Sequence, residues 1–269
     1  MNLSRFIVIA LLAAFIGPSR VSAAGAPVET PSGRKLQPAG LMVPLGNLPV
    51  GAAETPDGKS VWVADGGVGE DRLDIVRLQP SGRPEVVSTL PMPGLSGGIA
   101  FANDGTAYVA GIPGPSGGDS LVARSAPGYR GDVIHVFATS VVGSSLEIRT
   151  IDVPPPAGTL PAQDWRSKSL QAQSWPEGVS VCGSGRLCVA LNLADSLAIV
   201  DLATGGIRYV AIGRYPSAVA STSDGTLAAV ANSGDGTVSR GKVRAAGRVR
   251  QRCQRSVAWR ATPMRHLGI

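Results

Sequence analysis

Four stretches of this chain repeat one pattern, and the repetition restricts the fold more than any other feature. LPVGAAETPDGKSVWVADGG (48–67), LSGGIAFANDGTAYVAGIP (95–113), WPEGVSVCGSGRLCVALNL (175–193) and YPSAVASTSDGTLAAVANSG (215–234) each give a short apolar strand, a Gly-containing turn and a second apolar strand. The turn residues Asp57, Asp104, Ser184 and Asp224 lie 47, 80 and 40 residues apart. An Asp-Gly pair suits a tight hairpin, because Asp bonds its own backbone and Gly accepts positive φ. After each hairpin comes a second strand pair: DRLDIVRL with PEVVSTL, GDVIHVFAT with LEIRTIDV, and SLAIVDL with GIRYVAI.

A unit of four short antiparallel strands in roughly 40–47 residues has the size and strand count of a propeller blade. The 80-residue gap is one such unit enlarged by loop-like insertions at 112–131 and 153–174. The first strand of each unit is small (VGAAE, GGIAF, EGVSV, SAVAS), which suits the crowded wall around an axis. The second is bulkier (VWVA, AYVA, CVAL), which suits packing between sheets. With 35 Gly and 21 Pro and no sustained helical periodicity after residue 20, the expected class is all-β. A β-sandwich is the competing architecture; the regular unit size favours a partial β-propeller of about three and a half four-stranded blades at 24–239. An open arc of this kind exposes an inter-sheet face at each end and should aggregate or need a partner.

MNLSRFIVIALLAAFIGPSRVSAAG has a basic start at Arg5, an apolar run from Phe6 to Gly17 and small residues before Ala24. This layout predicts a signal peptide at 1–23, hence a secreted or periplasmic protein with no membrane attachment after cleavage. A membrane anchor is the competing reading, but twelve apolar residues are too few for a bilayer core of about 30 Å.

The net charge of +6 suggests nucleic acid until it is divided by region. Residues 240–269 hold nine of the 25 Lys and Arg and none of the 19 acids, leaving 16 basic against 19 acidic side chains in 1–239. The excess charge is therefore confined to RGKVRAAGRVRQRCQR and the remaining C-terminal residues, where the repeat calls for a branched apolar strand. Burying several arginines there is costly, so 240–269 reads as a basic, unstructured tail, a frameshift product after truncation. A nucleic-acid-binding arm is the rival reading, which export disfavours.

ETPDGKSVWVADGG and ALNLADSLAIVDLATGGIRYVAIGRYPSAVASTSDGTLAAVAN resemble the YVTN-type repeats of secreted bacterial seven-bladed propellers, with Asn192, Asp195, Ile199, Val200, Asp201, Asn232 and Asp235 on the repeat pattern. The opening SGRKLQPAGLMVPLGNLPVGAAETPDG is similar to the propeller half of a subgroup that continues into an alkaline-phosphatase-like phosphoesterase domain. The resemblance implies a propeller over roughly 30–239 and a binding or scaffold role, with this chain a remnant of a propeller-phosphoesterase protein. No phosphoesterase residue has a counterpart here.

Chemistry-bearing residues are sparse. His135 sits in an alternating strand and His266 in the tail, and no spacing matches a metal or phosphate-binding motif. No catalytic residue, metal or cofactor is assigned. Cys182 and Cys188 flank the GSGR turn and could form a disulfide across it, the alternative being two small buried residues; Cys253 would stay unpaired. A ligand, either a protein or a small molecule, should enter an axial channel near Glu54, Trp175 and Glu177, although a lone glutamate is commonly a solvated loop charge. The expected function is an exported binding or scaffold module without its own catalytic site. The alternative is a hydrolase or lactonase acting at that channel.

Overall fold

The computed structural model describes residues 28–29, 32–36, 41–46, 48–66, 71–80, 82–112, 132–141, 144–161 and 172–243. The expected signal peptide, the tail beyond Val243 with Cys253 and His266, nearly all of the 112–131 insertion and residues 162–171 of the second lie outside them. Two short strands, β1 (Val28–Glu29) and β2 (Lys35–Leu36), pair with each other near the start. The remaining strands form four successive antiparallel sheets, which are the blades.

Blade I contains β3 (Pro49–Glu54), β4 (Ser60–Asp65), β5 (Arg72–Arg77) and β6 (Glu85–Pro91) in that spatial order. Blade II runs through β7 (Ile99–Phe101), β8 (Ala107–Gly111), β9 (Asp132–Val141) and β10 (Ser144–Val153), and blade III through β11 (Pro176–Val181), β12 (Arg186–Leu191), β13 (Ser196–Asp201) and β14 (Ile207–Ala211). Blade IV has three strands among the described residues, β15 (Pro216–Ser221), β16 (Leu227–Asn232) and β17 (Thr237–Lys242). The class is all-β and the architecture that of a partial propeller. The first strands β3, β7, β11 and β15 pack on one another in sequence and form the inner wall.

The turn chemistry is visible in the hairpins. At Gly58, φ is +68°, and the Asp57 carboxylate accepts from the Thr55 hydroxyl at 2.7 Å and the Lys59 amide at 3.1 Å. Asp104 and Asp224 accept in the same way from the Thr106 and Thr226 amides at 2.9 and 3.0 Å. Blade III lacks the Asp, and there the structure joins Cys182 to Cys188 by a disulfide with Cα atoms 5.8 Å apart.

In blades II and III, each packed between two other sheets, the middle strands are largely apolar on both faces. In blade III, Leu187, Val189, Leu191, Ala198 and Val200 pack with Ala110, Ile134, Val136 and Val153 of blade II. The alternate residues Cys188, Ala190, Leu197 and Ile199 pack with Ala228 and Val230 of blade IV. Period-two alternation thus sends successive side chains to different neighbours. Between blades I and II, the Trp62 ring meets Phe101 and Phe137 edge-on at 5.3 and 5.7 Å.

The inner strands approach closely through one repeated position. The fourth residue of LPVG, LSGG and WPEG is glycine, and a Cβ on Gly51 would strike the Gly97 carbonyl, one on Gly98 the Glu177 carbonyl, and one on Gly178 the Ala218 Cα at 2.8 Å. Each of these blades omits a side chain where the next blade's backbone passes. Blade IV carries Ala218 at the matching place, and that residue is exposed.

Two sequence expectations need correction. The sheet does not stop at Ser239: β17 pairs with β16 as far as Leu227 opposite Lys242. Its side chains alternate, so Arg240 and Lys242 lie on the open face and only Val243 is buried. Two cations spaced two residues apart can join a strand without burial, which the run of arginines concealed. The two ends of the arc also differ. On blade I the side chains turned away from blade II, Val63, Asp74 and Val76, are buried, and the chain at Gly46 lies against Asp65. On blade IV the corresponding face is open, with Ala218, Ala220, Ala231 and Val238 exposed.

Candidate functional site

The inner strands begin with related tetrapeptides, and in blades III and IV the residue before the proline takes an unusual backbone conformation. Trp175 and Tyr215 both adopt φ of +48°, an uncommon conformation for a bulky side chain. A carboxylate of the preceding blade holds each of them there. Asp132 of blade II accepts from the Trp175 amide at 2.8 Å, and Asp195 of blade III from the Tyr215 amide at 2.9 Å. Asp71 of blade I does the same for the Gly94 amide just ahead of β7, at 2.8 Å. Such strain persists only where surrounding bonds over-determine it.

A cavity of about 390 Å³ opens where these strand starts converge. Blade I contributes Val50 and Gly66 to its lining, the approach to β7 contributes Leu95 and Ser96, and blade III contributes Trp175, Glu177, Asn192 and Leu193. Its volume lies in the ordinary range for small-ligand sites, roughly 300–1,000 Å³.

The polar groups around the cavity are held by their own bonds. The Ser96 hydroxyl donates to the Pro176 carbonyl, linking β11 to the segment before β7. The Asn192 amide donates to the Trp175 carbonyl at 2.9 Å, and its side-chain nitrogen to the Pro216 carbonyl at 3.3 Å. Burial pushes the Glu177 carboxyl above its ordinary value, and the hydrogen bond from the Trp175 side chain offsets part of that rise.

The structure brings Trp175 and Glu177 together at this cavity and leaves Glu54 out. Glu54 is the last residue of β3, beside the Asp57 hairpin, whereas the cavity lies at the first residues of that strand. A six-residue strand separates its ends by roughly 17 Å at ~3.3 Å per residue. The sequence placed all three at strand starts, and the register of β3 moves Glu54 to the far rim. Asn192, a residue of the repeat pattern, is a further lining group; its signal was a side-chain amide directly after β12, where blade I has Gly66. His135 is buried in β9, between the Glu147 carboxylate at 2.9 Å and the Ile112 carbonyl at 3.0 Å, and stands apart from the cavity. Among the described residues, no group of three His, Cys, Asp or Glu could hold a metal ion.

No protein-family model and no curated protein sequence matches the chain. Solved structures do. The periplasmic gluconolactonase of Pseudomonas aeruginosa superposes with a TM-score of 0.55 at 18% identity, over 86% of this chain and 63% of that one. A functionally unknown protein from Desulfotomaculum acetoxidans gives 0.53 at 14% identity, over 77% and 56%. Hydrazine synthase of Kuenenia stuttgartiensis gives 0.51 at 15%, over 83% and 67%. Identities this low establish a shared fold and nothing finer. The chain is similar to these proteins as a β-propeller, and it spans less than two thirds of the length of the first two.

Proposed function

We propose that this chain is an exported propeller module that binds a small molecule or an extended segment in the cavity at the starts of β3, β7 and β11. The observation that carries this reading is the departure of blade III from the repeat. At the first and third positions of the tetrapeptide, and just after the second strand, blade I has Leu48, Val50 and Gly66 and blade IV has Tyr215, Ser217 and Ser233. Blade III has Trp175, Glu177 and Asn192. An aromatic, an acid and an amide thus gather on one blade and face one cavity. Half-burying an acid where the other blades have Val, Gly or Ser is unfavourable unless the group has a use.

The repeat pattern supports a YVTN-type propeller as the lineage, with further blades belonging to the parent ring, and the leader supports export. A second reading, a hydrolase acting on a sugar lactone at the same cavity, is favoured by the raised Glu177 carboxyl, which could serve as a general acid. Ligand screening by thermal shift on the full chain tests the first reading: a binder should lose its effect in Trp175→Ala. Lactone turnover abolished by Glu177→Ala would replace it by the second.

A further inference from the structure

The cavity carries information about its ligand because the other blades serve as internal controls. Glu177 is the only ionisable side chain among the described residues that line it, and these include no Lys, Arg or His. An anionic ligand would meet no cation among them and would have the Glu177 carboxyl beside it. The apolar lining groups Val50, Leu95 and Leu193 and the Trp175 side chain offer contact area. Glu177, Asn192 and Ser96 offer hydrogen-bond donors and acceptors on the same cavity.

We infer that the ligand is an uncharged polyhydroxylated ring, a neutral sugar or cyclitol, with its C–H face against Trp175 and its hydroxyls on Glu177 and Asn192. This rests on the binding-module reading and narrows it to a ligand class. A hydroxyl ring has the required division between an apolar face and a polar edge, and its adjacent hydroxyls can both give and take hydrogen bonds. Ser96 and the Asn192 side-chain nitrogen already donate to the Pro176 and Pro216 carbonyls, so these groups meet the ligand in fixed orientations. The Trp175 backbone is fixed likewise, its amide on Asp132 and its carbonyl on the Asn192 amide. A site whose groups are held before binding loses less side-chain freedom when the ligand arrives.

The test compares glucose and myo-inositol with glucuronate and glucosamine, which add a negative and a positive charge to the same kind of ring, by calorimetry on the full chain. Glucose or inositol should bind, and glucuronate should be weaker by about ten-fold or more, one unmatched buried charge being worth at least ~1.4 kcal/mol. Glu177→Ala should lower affinity about five-fold or more, since it removes a partner of the ligand hydroxyls, and Glu177→Gln, whose carboxamide keeps a donor and an acceptor, should recover part of that loss. Trp175→Ala should lower it about ten-fold or more, while Trp175→Phe, which keeps a ring and guards against a folding artefact, should retain much of it. Tighter binding of glucosamine, lost in Glu177→Gln, would make Glu177 a counter-ion and overturn the inference. So would failure of all four rings to bind. If a charged or apolar compound instead binds and is lost in Trp175→Ala, the module reading stands and only the ligand class falls. Turnover of a lactone would remove the module reading itself.

Discussion

The carboxylate of Asp132 accepts a 2.8 Å hydrogen bond from the backbone amide of Trp175, 43 residues further along the chain. The bond crosses from blade II to the residue that leads into the blade III inner strand and fixes a tryptophan at φ +48°. It therefore serves the fold and the cavity at once. Asp132 is fully buried; Asp195 makes the equivalent bond between blades III and IV, and between blades I and II Asp71 accepts from the Gly94 amide, one residue ahead of the matching position.

Asp132→Ala should lower unfolding stability by about 2 kcal/mol, the range for orphaning a buried donor. Asp132→Asn should cost less, because the carboxamide oxygen can still accept from the amide. Urea denaturation of both variants measures the difference, and equal losses would show that the amide bond contributes little.

Gly178→Ala should destabilise by about 2 kcal/mol, since its Cβ would lie 2.8 Å from the Ala218 Cα and the blade III–IV contact would have to open. The reverse change on the facing strand, Ala218→Gly, should cost under about 1 kcal/mol, the entropy of an added glycine. Thermal melts that rank these two the other way would contradict the close packing of the inner wall.

Removing the Cys182–Cys188 bridge with Cys182→Ser and Cys188→Ser should lower stability by about 2 kcal/mol, as for a short closed loop. Both residues are fully buried in the blade III–IV core, at the one hairpin whose turn lacks its Asp. Thiol titration of the unfolded, unreduced chain should find one free cysteine among its three.

Acid should weaken the fold through the hairpin turns. Hydrogen bonds from Thr55, Thr106 and Thr222 respectively lead in holding the Asp57, Asp104 and Asp224 carboxyls below the ordinary Asp value of 3.8. A depressed folded-state pKa means that the stabilisation is present above the unfolded value and is lost as pH falls through the folded one. Stability measured from pH 5 downward should thus decline below about pH 4, and replacing all three residues by Asn should flatten that decline.

The hairpins and their order were legible in the sequence. Asp-Gly turns and short apolar strands are local signals, set by φ preferences and side-chain alternation within a few residues. From them came the four blades, the inner position of β3, β7, β11 and β15, and Cys182 and Cys188 as partners across one turn. Local signals also misled. Arg240 and Lys242 read as the end of the sheet, because a run of cations shows its charge and not its two-residue alternation.

Contacts that join distant blades were not legible. Asp132 meets Trp175, Gly98 admits Glu177 and Val50 faces Asn192 only once the sheets are stacked, since these contacts depend on register and on how closely neighbouring backbones approach. Glu54 and Glu177 show the limit most directly. Both lie on inner strands and both read in sequence as candidate channel carboxylates. Glu177 stands at the first residues of its strand and Glu54 at the last, so tertiary structure gives the cavity to Glu177 and leaves Glu54 on the opposite rim.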